Sequence, residues 1–173
     1  YRESGIVLEE NKQYLLDARL TPVLKNAQLG TLNDLCALLK ATGPEPLRRA
    51  VVEAITTHET LFFRDAAAFD ALKSTILPEL KTMRETARRL RIWSAAASSG
   101  QEAYSIAILI REYFPELHDW NILIQATDIS EAILDKARAG IYSSSEVKRG
   151  LDERYLQNTS ANMGMATKFI RRY

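Results

Sequence analysis

The fold is decided by two stretches of the sequence, LRIWSAAASSG at residues 90–100 and WNILIQATD at residues 120–128. Leu90–Ala95 alternates in the manner of a short β-strand, and Ser98–Gly100 after it has the composition of a turn. Trp120–Ala126 is rich in β-branched and apolar residues, which favours a second strand. Each stretch therefore predicts a strand that ends in small or polar residues.

Helical patterns follow both predicted strands. Apolar residues recur at helical spacing between Tyr104 and Tyr113, and again within Ser130–Ala139. Strand, helix, strand and helix of these lengths indicate a βαβ unit, which implies a parallel sheet with a right-handed crossover. Tyr104, Trp93 and Trp120 are interpreted as packing residues of this unit.

The sequence before this unit is helical in pattern. Residues 64–89 form one long helical pattern that ends in a basic stretch, interpreted as a solvated helix end. The arginines of this stretch are Arg84, Arg88, Arg89 and Arg91. Residues 1–57 contain three apolar stripes, the first interrupted at Pro22, and predict a small bundle. We divide the chain into a helical domain at 1–57, a connector with a long helix at 58–89 and a partial Rossmann-like α/β domain at 90–173. The fold class of the whole chain is therefore α+β.

The bulk composition is that of an ordinary soluble domain. The 173 residues are 46% hydrophobic and 26% charged, and their net charge is only +1. This balance does not call for a nucleic-acid partner, and no apolar run approaches the length of a membrane span. The single cysteine, Cys36, excludes a disulfide framework within one chain and is interpreted as a small buried residue. We expect a cytoplasmic protein without nucleic-acid binding, direct membrane insertion or a metal, because no cluster of metal ligands is visible.

The carboxyl ends of the two predicted strands mark a candidate ligand site, as in other open α/β sheets. Residues 94–102 offer small side chains and a helix N-terminus, and Asp128 can accept both hydroxyls of a ribose. The loop has one glycine, whereas a dinucleotide pyrophosphate requires several for close backbone approach. A ligand without phosphate, such as S-adenosylmethionine, fits this loop better, and a methyltransferase is favoured over a nicotinamide dehydrogenase.

Both acidic residues also have a purely structural interpretation. Ser99 and Glu102 have the spacing of a capping box, and so do Asp128 and Glu131. The pattern alone leaves the ligand and the capping interpretations equally open at both positions.

A third segment, TTHETLFFRD at residues 56–65, precedes the long helical pattern. Paired phenylalanines beside Arg64 are unusual for a solvated linker, so we predict that they pack and direct the arginine toward a site. The alternative is an Arg64 paired with Asp65 or bound to a helix end. His58 alone indicates a surface or hydrogen-bonding role.

Taken together, these segments resemble the chemotaxis receptor methyltransferase family, CheR. The matching residues are 56–65, 91–105, Ala126–Ser130, Lys136–Tyr142, Arg149–Leu151 and Gly5–Leu8. The resemblance covers nearly the whole chain with agreement in order and spacing. It implies a small helical N-terminal domain followed by a Rossmann-like α/β domain that uses S-adenosyl-L-methionine, with S-adenosyl-L-homocysteine as product. The implied activity is that of a protein-glutamate O-methyltransferase, which forms methyl esters on the cytoplasmic region of chemotaxis receptors.

The resemblance also implies roles for individual residues. The implied cofactor contacts are His58, Thr60, Arg64, Glu102 and Asp128, with Arg64 also near the reacting centre. Lys12 and Arg19 share a helix face and are predicted to bind an acidic receptor surface.

Several features depart from the family pattern. His58 stands where the family usually has asparagine, and Ala103 stands where it usually has proline. The later family segments, an Asn-Leu pair and an Arg-Asn segment with a tyrosine, are not found. If the polypeptide ended at Tyr173, we would expect no appreciable activity and poor cofactor affinity. The alternative function is a non-catalytic cofactor- or receptor-binding module of the same fold.

Overall fold

The computed structural model describes residues 5–7, 13–41 and 43–151. The chain divides into two compact units, with the division between Thr57 and His58. Each unit is described by itself. None of the helices described is long and apolar enough to cross a membrane.

The first unit is built from three helices, as the apolar stripes predict. They are α1 (Gln13–Asn26), α2 (Leu32–Ala41) and α3 (Glu45–Ile55). Leu20, Val23 and Leu35 are its buried centre. Cys36 beside them is exposed, so the prediction of a buried cysteine was wrong. The stripe supplies Leu35 to the core, and the next residue points to solvent because a helix turns by 100° per residue.

Pro22 lies inside α1 and does not interrupt it, contrary to the sequence prediction. Proline removes the bond to the carbonyl of Ala18, but both residues are exposed, so water can solvate that carbonyl. The hydroxyl of Thr21 donates to the carbonyl of Asp17 at 2.5 Å in the same turn. Burial of Leu20 and Val23 on the opposite side holds the helix together across the proline.

The second unit starts with a helical run that changes its winding. α4 (Ala66–Ala71) passes into a π-helical segment (Leu72–Ile76) and then α5 (Leu77–Arg84). The predicted long helix is confirmed, but it ends at Arg84. Arg84 lies in the last turn of α5, as the interpretation of a solvated helix end predicts, whereas Arg88 lies in the following turn and Arg89 and Arg91 belong to a strand. All four arginines are exposed.

The βαβ unit is present as predicted. Its elements are β1 (Arg89–Ala95), α6 (Gln101–Tyr113), a 3-10 turn (Pro115–Leu117), β2 (Asn121–Thr127), α7 (Glu131–Ala139) and α8 (Ser144–Lys148). β1 and β2 pair in parallel, with Arg89 opposite Asn121 and Ala95 opposite Thr127. Both strands therefore end at the same edge of the sheet.

One face of this sheet carries the core of the second unit. Leu90, Ile92 and Ser94 point inward from β1, where apolar residues of α6 and Leu77 of α5 cover them. On the opposite face, within the described residues, the side chains of β1 are exposed, with Trp93 at 69%, and Leu123, Gln125 and Thr127 of β2 are half-buried. The prediction of Trp93 as a packing residue was therefore wrong, whereas Trp120 packs against the core and Tyr104 is fully buried.

Candidate cofactor-binding site

A cavity of about 640 Å³ opens at the carboxyl end of β1. It has a polar side of loop residues and an apolar side of helical residues. The lining residues are Glu59, Thr60, Leu61, Arg64, Asp65, Ala68, Phe69, Leu72, Ile76, Ala96, Ala97, Glu102 and Ile106. All belong to the second unit. This volume suits a ligand of nucleoside or amino-acid size.

Arg64 reaches the cavity because the two preceding phenylalanines fix the backbone. Phe62 is fully buried against Tyr104 and Leu151, and Phe63 packs edge-on against Phe69 at 4.9 Å between ring centroids. The prediction that this pair packs is confirmed, and Arg64 lines the cavity, where its role stays a prediction. The side chain of Arg64 is exposed, and its Nη1 donates to the carbonyl of Glu59 at 2.7 Å.

A buried serine holds the turn that precedes Arg64. Phe63 has a left-handed backbone with φ of 50°, and its N–H donates to Oγ of Ser105 at 3.0 Å. The same hydroxyl donates to the carbonyl of Gln101 at 2.7 Å. Ser105 therefore ties the segment before α4 to the first turn of α6, so that Arg64 and Glu102 approach the cavity from adjoining elements.

Glu102 lies in the first turn of α6 and faces the same cavity. The cap position of this helix is Gly100, with φ of 92° and no side-chain hydrogen bond. Ser99 donates its hydroxyl to Oε1 of Gln101, and Glu102 accepts from Oγ of Ser94 at 2.7 Å. The capping-box interpretation of Ser99 and Glu102 is therefore wrong, and the carboxylate of Glu102 is directed toward the cavity.

Besides Gly100, the loop between β1 and α6 contains two further left-handed residues. Ala96 has φ of 54° and Ser98 has φ of 51°. Backbone hydrogen bonds stabilise this path, one from Ala97 N–H to the carbonyl of Thr127 at 2.9 Å. A further hydrogen bond to this loop runs from the hydroxyl of Tyr142 to the carbonyl of Ser99.

Asp128 binds this loop directly. Its Oδ2 accepts the N–H of Ser98 at 2.8 Å, and its Oδ1 accepts the N–H of Ser130 at 3.0 Å. The cap of α7 is Ser130, whose hydroxyl accepts the N–H of Ile133, so Asp128 and Glu131 do not form the predicted capping box. Asp128 is half-buried at the end of β2 and does not line the cavity.

The structure thus brings Thr60, Arg64 and Glu102 together in one cavity. Asp128 lies at the neighbouring strand end, one loop away. His58 contacts the same loop through its backbone, since its carbonyl accepts the hydroxyl of Ser98 at 3.1 Å, but its imidazole does not line the cavity.

Two tyrosines that pack edge to face, the fully buried Tyr104 and the half-buried Tyr142, lie next to this loop. Burial raises the pKa of Tyr104 to about 12, and its hydroxyl donates to the carbonyl of Ala137 at 2.8 Å. The pKa of Tyr142 is raised chiefly by burial and further by the nearby Tyr104 and Glu146. Both phenols therefore stay protonated and remain donors.

Electrostatics divide the cavity into two parts. Arg64 is the cation of its lining, while Glu59, Asp65 and Glu102 are acidic. Arginine matches a carboxylate with paired N–H donors, and a carboxylate matches an ammonium group. The helical side offers Ala68, Leu72 and Ile76 to apolar parts of a ligand. Within the described ranges no group of His, Cys, Asp and Glu side chains could hold a metal ion.

Sequence reasoning missed the serines that organise this site. Ser94 and Ser105 are both almost fully buried, and each bonds to a group beside the cavity. The alternation of β1 offered one indication, because Ser94 is a polar residue on the inward face that Leu90 and Ile92 define. Nothing comparable pointed to Ser105, whose partner Phe63 lies 42 positions earlier.

A parallel βαβ unit with a cavity at its carboxyl strand ends defines a Rossmann-like α/β domain of the class that binds nucleoside-type ligands. Comparison with known families narrows this class. Residues 58–172 match the family described as CheR methyltransferase, SAM binding domain, and residues 1–56 match CheR methyltransferase, all-alpha domain. The chain belongs to the CheR methyltransferase family, and the predicted combination of a helical domain with a Rossmann-like domain is confirmed.

The names of curated relatives agree with this assignment. The chain is 44% identical over 151 residues to chemotaxis protein methyltransferase 1 of Vibrio cholerae, covering 86% of this chain and 54% of that protein. It is 41% identical over 158 residues to chemotaxis protein methyltransferase Cher2 of Pseudomonas putida, covering 88% of this chain and 56% of that protein. The chain spans about half the length of the curated relatives it matches.

Proposed function

We propose that the protein containing this chain transfers a methyl group from S-adenosyl-L-methionine to glutamate side chains of chemotaxis receptors, forming methyl esters. The observation that carries the proposal is the shared cavity of Arg64 and Glu102 at the end of β1. Membership of the CheR family and the names of the relatives support the same activity.

The residues of the cavity fit the methionine part of this cofactor. An amino-acid group carries a carboxylate and an ammonium, and Arg64 and Glu102 offer the matching charges in one cavity. One hydrogen bond from Arg64 to Glu59 leaves further N–H donors of a group that has five. Ala68, Leu72 and Ile76 can cover the aliphatic part of the ligand. Thr60 lines the same cavity and His58 adjoins it, and both stay predicted contacts.

Asp128 is proposed to hold the ribose hydroxyls. Each oxygen of its carboxylate already accepts one backbone N–H. A carboxylate has about four lone-pair sites, so two remain for hydroxyl donors. The two backbone bonds fix the carboxylate at the end of β2, in an orientation that a ligand need not establish by itself.

The chemistry needs orientation more than proton transfer. When bound, the cofactor supplies a sulfonium methyl group as electrophile. A glutamate acceptor is ionised at neutral pH, so the protein needs no general base. The proposed work of Arg64 is to align a carboxylate beside the reacting carbon through paired N–H bonds. Glu102 is proposed to bind the ammonium group, which the cofactor carries on the same carbon as its carboxylate.

Receptor binding through Lys12 and Arg19 stays a prediction. Lys12 lies outside the described residues. Arg19 donates through Nη1 to the carbonyl of Ile55 at 2.8 Å and through Nη2 to the hydroxyl of Thr57 at 3.2 Å. These bonds place its cation at the carboxyl end of α3, where it also stabilises the helix. Loss of receptor binding on substitution must therefore be measured together with stability.

The test uses the complete polypeptide and two measurements. Calorimetry with S-adenosyl-L-homocysteine measures cofactor binding, and a radiolabelled methyl assay on receptor membranes measures transfer. We expect Arg64→Ala to lower transfer by about 10- to 100-fold, because misplacement of a reacting group costs this much. Arg84→Ala, an exposed arginine at the end of α5, is the control and should change neither measurement.

Two results would remove parts of the proposal. A loss below tenfold in Arg64→Ala, with cofactor binding intact, excludes Arg64 from the mechanism. Binding of S-adenosyl-L-homocysteine by the wild type without any methyl transfer to receptors would instead identify a non-catalytic binding module.

A further inference from the structure

Ser94 is a hydroxyl at an inward position of β1. It lies on the same inward face as Leu90 and Ile92, at every second position of the strand, and is only 1% exposed. At Ser94 the strand reaches the cavity. A buried hydroxyl without a hydrogen bond is costly, so the partner that it finds indicates why serine occupies the position.

That partner is Glu102. The Oγ of Ser94 donates to Oε1 of Glu102 at 2.7 Å, across the whole loop that joins β1 to α6. A hydroxyl bound to a carboxylate is a charge-assisted hydrogen bond and is stronger than a neutral one. Glu102 itself is exposed on the cavity side. The bond therefore links a buried, immobile group to a side chain that water would otherwise leave free to rotate.

We infer that Ser94 is a positioning residue for Glu102 and, through it, for the cationic end of the cofactor. This inference rests on the proposed function. With one lone pair of Oε1 held by Ser94, Oε2 and the second lone pair of Oε1 remain to accept from a ligand ammonium. Fixing a glutamate side chain on ligand binding costs rotamer freedom and so lowers affinity. Ser94 fixes it before the ligand arrives, which raises affinity without a direct contact.

The pattern of contacts separates Ser94 from a serine that mainly supports the fold. Ser105 is equally buried, but its hydroxyl joins two backbone groups, the N–H of Phe63 and the carbonyl of Gln101. Ser94 instead bonds to the carboxylate of an exposed side chain that lines the cavity. Loss of the Ser94 hydroxyl should therefore change ligand binding more than it changes folding.

The test is a double-mutant cycle on the complete polypeptide. Calorimetry with S-adenosyl-L-homocysteine compares wild type, Ser94→Ala, Glu102→Ala and the double variant. We expect Ser94→Ala to weaken binding by about five- to tenfold when Glu102 is present, less than a full charge-assisted hydrogen bond contributes, because Glu102 can still reach the ligand. In the Glu102→Ala background the same substitution should change binding by less than about twofold, because its partner is already absent.

Two further variants make the cycle decisive. Ser74→Ala removes an exposed hydroxyl that bonds only within its own helix, and it should leave binding unchanged. Ser94→Cys is close in size to serine and replaces the hydroxyl by a weak donor, so it tests the bond if Ser94→Ala fails to fold.

The outcomes separate the two proposals. If the wild type binds and Ser94→Ala weakens binding equally in both backgrounds, or not at all, Ser94 is not a positioning residue and the proposed function stands. If the wild type does not bind S-adenosyl-L-homocysteine, the proposed function fails and the role of Ser94 fails with it. If Ser94→Ala weakens binding only when Glu102 is present, and its urea midpoint equals that of the wild type, the result supports the proposed function and the role of Ser94.

Discussion

The carboxylate of Asp128 accepts the backbone N–H of Ser98 at 2.8 Å and so joins the end of β2 to the loop after β1. Ser98 has a left-handed backbone, as does Ala96 two positions earlier. Such a conformation costs a residue with a side chain about 1–2 kcal/mol, so it persists only where surrounding bonds fix it. Asp128 is one of these bonds, and a predicted ligand contact is at the same time a brace for the loop that borders the cavity.

Asp128→Asn should therefore reduce both stability and cofactor binding. Its amide keeps one acceptor oxygen but turns an NH₂ group toward the second backbone N–H. We expect a loss of about 1–3 kcal/mol in the free energy of unfolding, measured by urea denaturation. Asp70→Asn, on exposed α4, is the control and should stay within about 0.5 kcal/mol of wild type. Equal effects of the two substitutions would contradict the bracing role.

Gly150 is predicted to tolerate no side chain. Its φ is 112°, and a Cβ there would lie 1.9 Å from the carbonyl oxygen of Phe62, which is backbone and cannot rotate away. We expect Gly150→Ala to destabilise the protein by more than about 2 kcal/mol, from backbone strain and overpacking together. The measurement is the urea midpoint.

Gly5 provides the matched control for this substitution. It also has a positive φ, 68°, but a Cβ there would meet no atom of the described residues within 4 Å. Gly5→Ala should therefore cost only the backbone term, about 1 kcal/mol. Similar losses in both variants would show that the contact with Phe62 does not matter.

Much of the second unit could be predicted from the sequence because its elements are short and strongly patterned. The alternation of β1 and the apolar run of β2 determine a parallel pair, and strand ends in such a pair must adjoin. Glu102 could therefore be assigned to the candidate site from the sequence, because it follows the end of β1. The same alternation, applied strictly, would have placed Trp93 outward, opposite to Ser94, instead of in the core.

The remaining features depend on contacts between distant residues. The bond from Phe63 to Ser105 and the bond from Ser98 to Asp128 require left-handed backbones that no local pattern of Phe or Ser indicates. Pro22 is similar, because propensity predicts an interruption while burial of the neighbouring face of α1 keeps the helix intact.

Tyr104 should stabilise the protein in a way that alkaline pH removes. Its hydroxyl donates to the carbonyl of Ala137 in the last turn of α7, so Tyr104→Phe should cost about 1–3 kcal/mol at pH 8. The pKa is raised from about 10 to about 12, which means that the fold favours the neutral phenol. This contribution is complete below pH 10 and is lost as the pH rises through 12.

Urea denaturation at pH 8 and pH 11 measures this effect. The stability difference between wild type and Tyr104→Phe should shrink at the higher pH. Part of the alkaline loss should persist in the variant, because the pKa of Tyr142 is raised as well. A difference that is the same at both pH values would disprove the assignment to Tyr104.

Glu146 should stabilise the protein in a way that acid pH removes. A hydrogen bond from Lys136, together with hydrogen bonds from the backbone N–H and hydroxyl of Ser143 in the capping box of α8, lowers its pKa to about 2. The fold thus favours the ionised carboxylate, so its stabilisation is present above the ordinary glutamate pKa of about 4.3 and is lost as the pH falls toward 2. Glu146→Gln can still accept from Ser143 but loses the ion pair with Lys136, which joins α7 to α8. Because the pair is partly exposed, we expect a loss of only about 0.5–1 kcal/mol at pH 7.

Urea midpoints at pH 7, 4 and 2.5 measure this loss in Glu146→Gln. The difference between wild type and variant should close as the pH falls, while the control Glu85→Gln, at an exposed position, should show no difference at pH 7. A gap that widens on acidification would mean that Glu146 is stabilised in its protonated form, opposite to what its three donors imply.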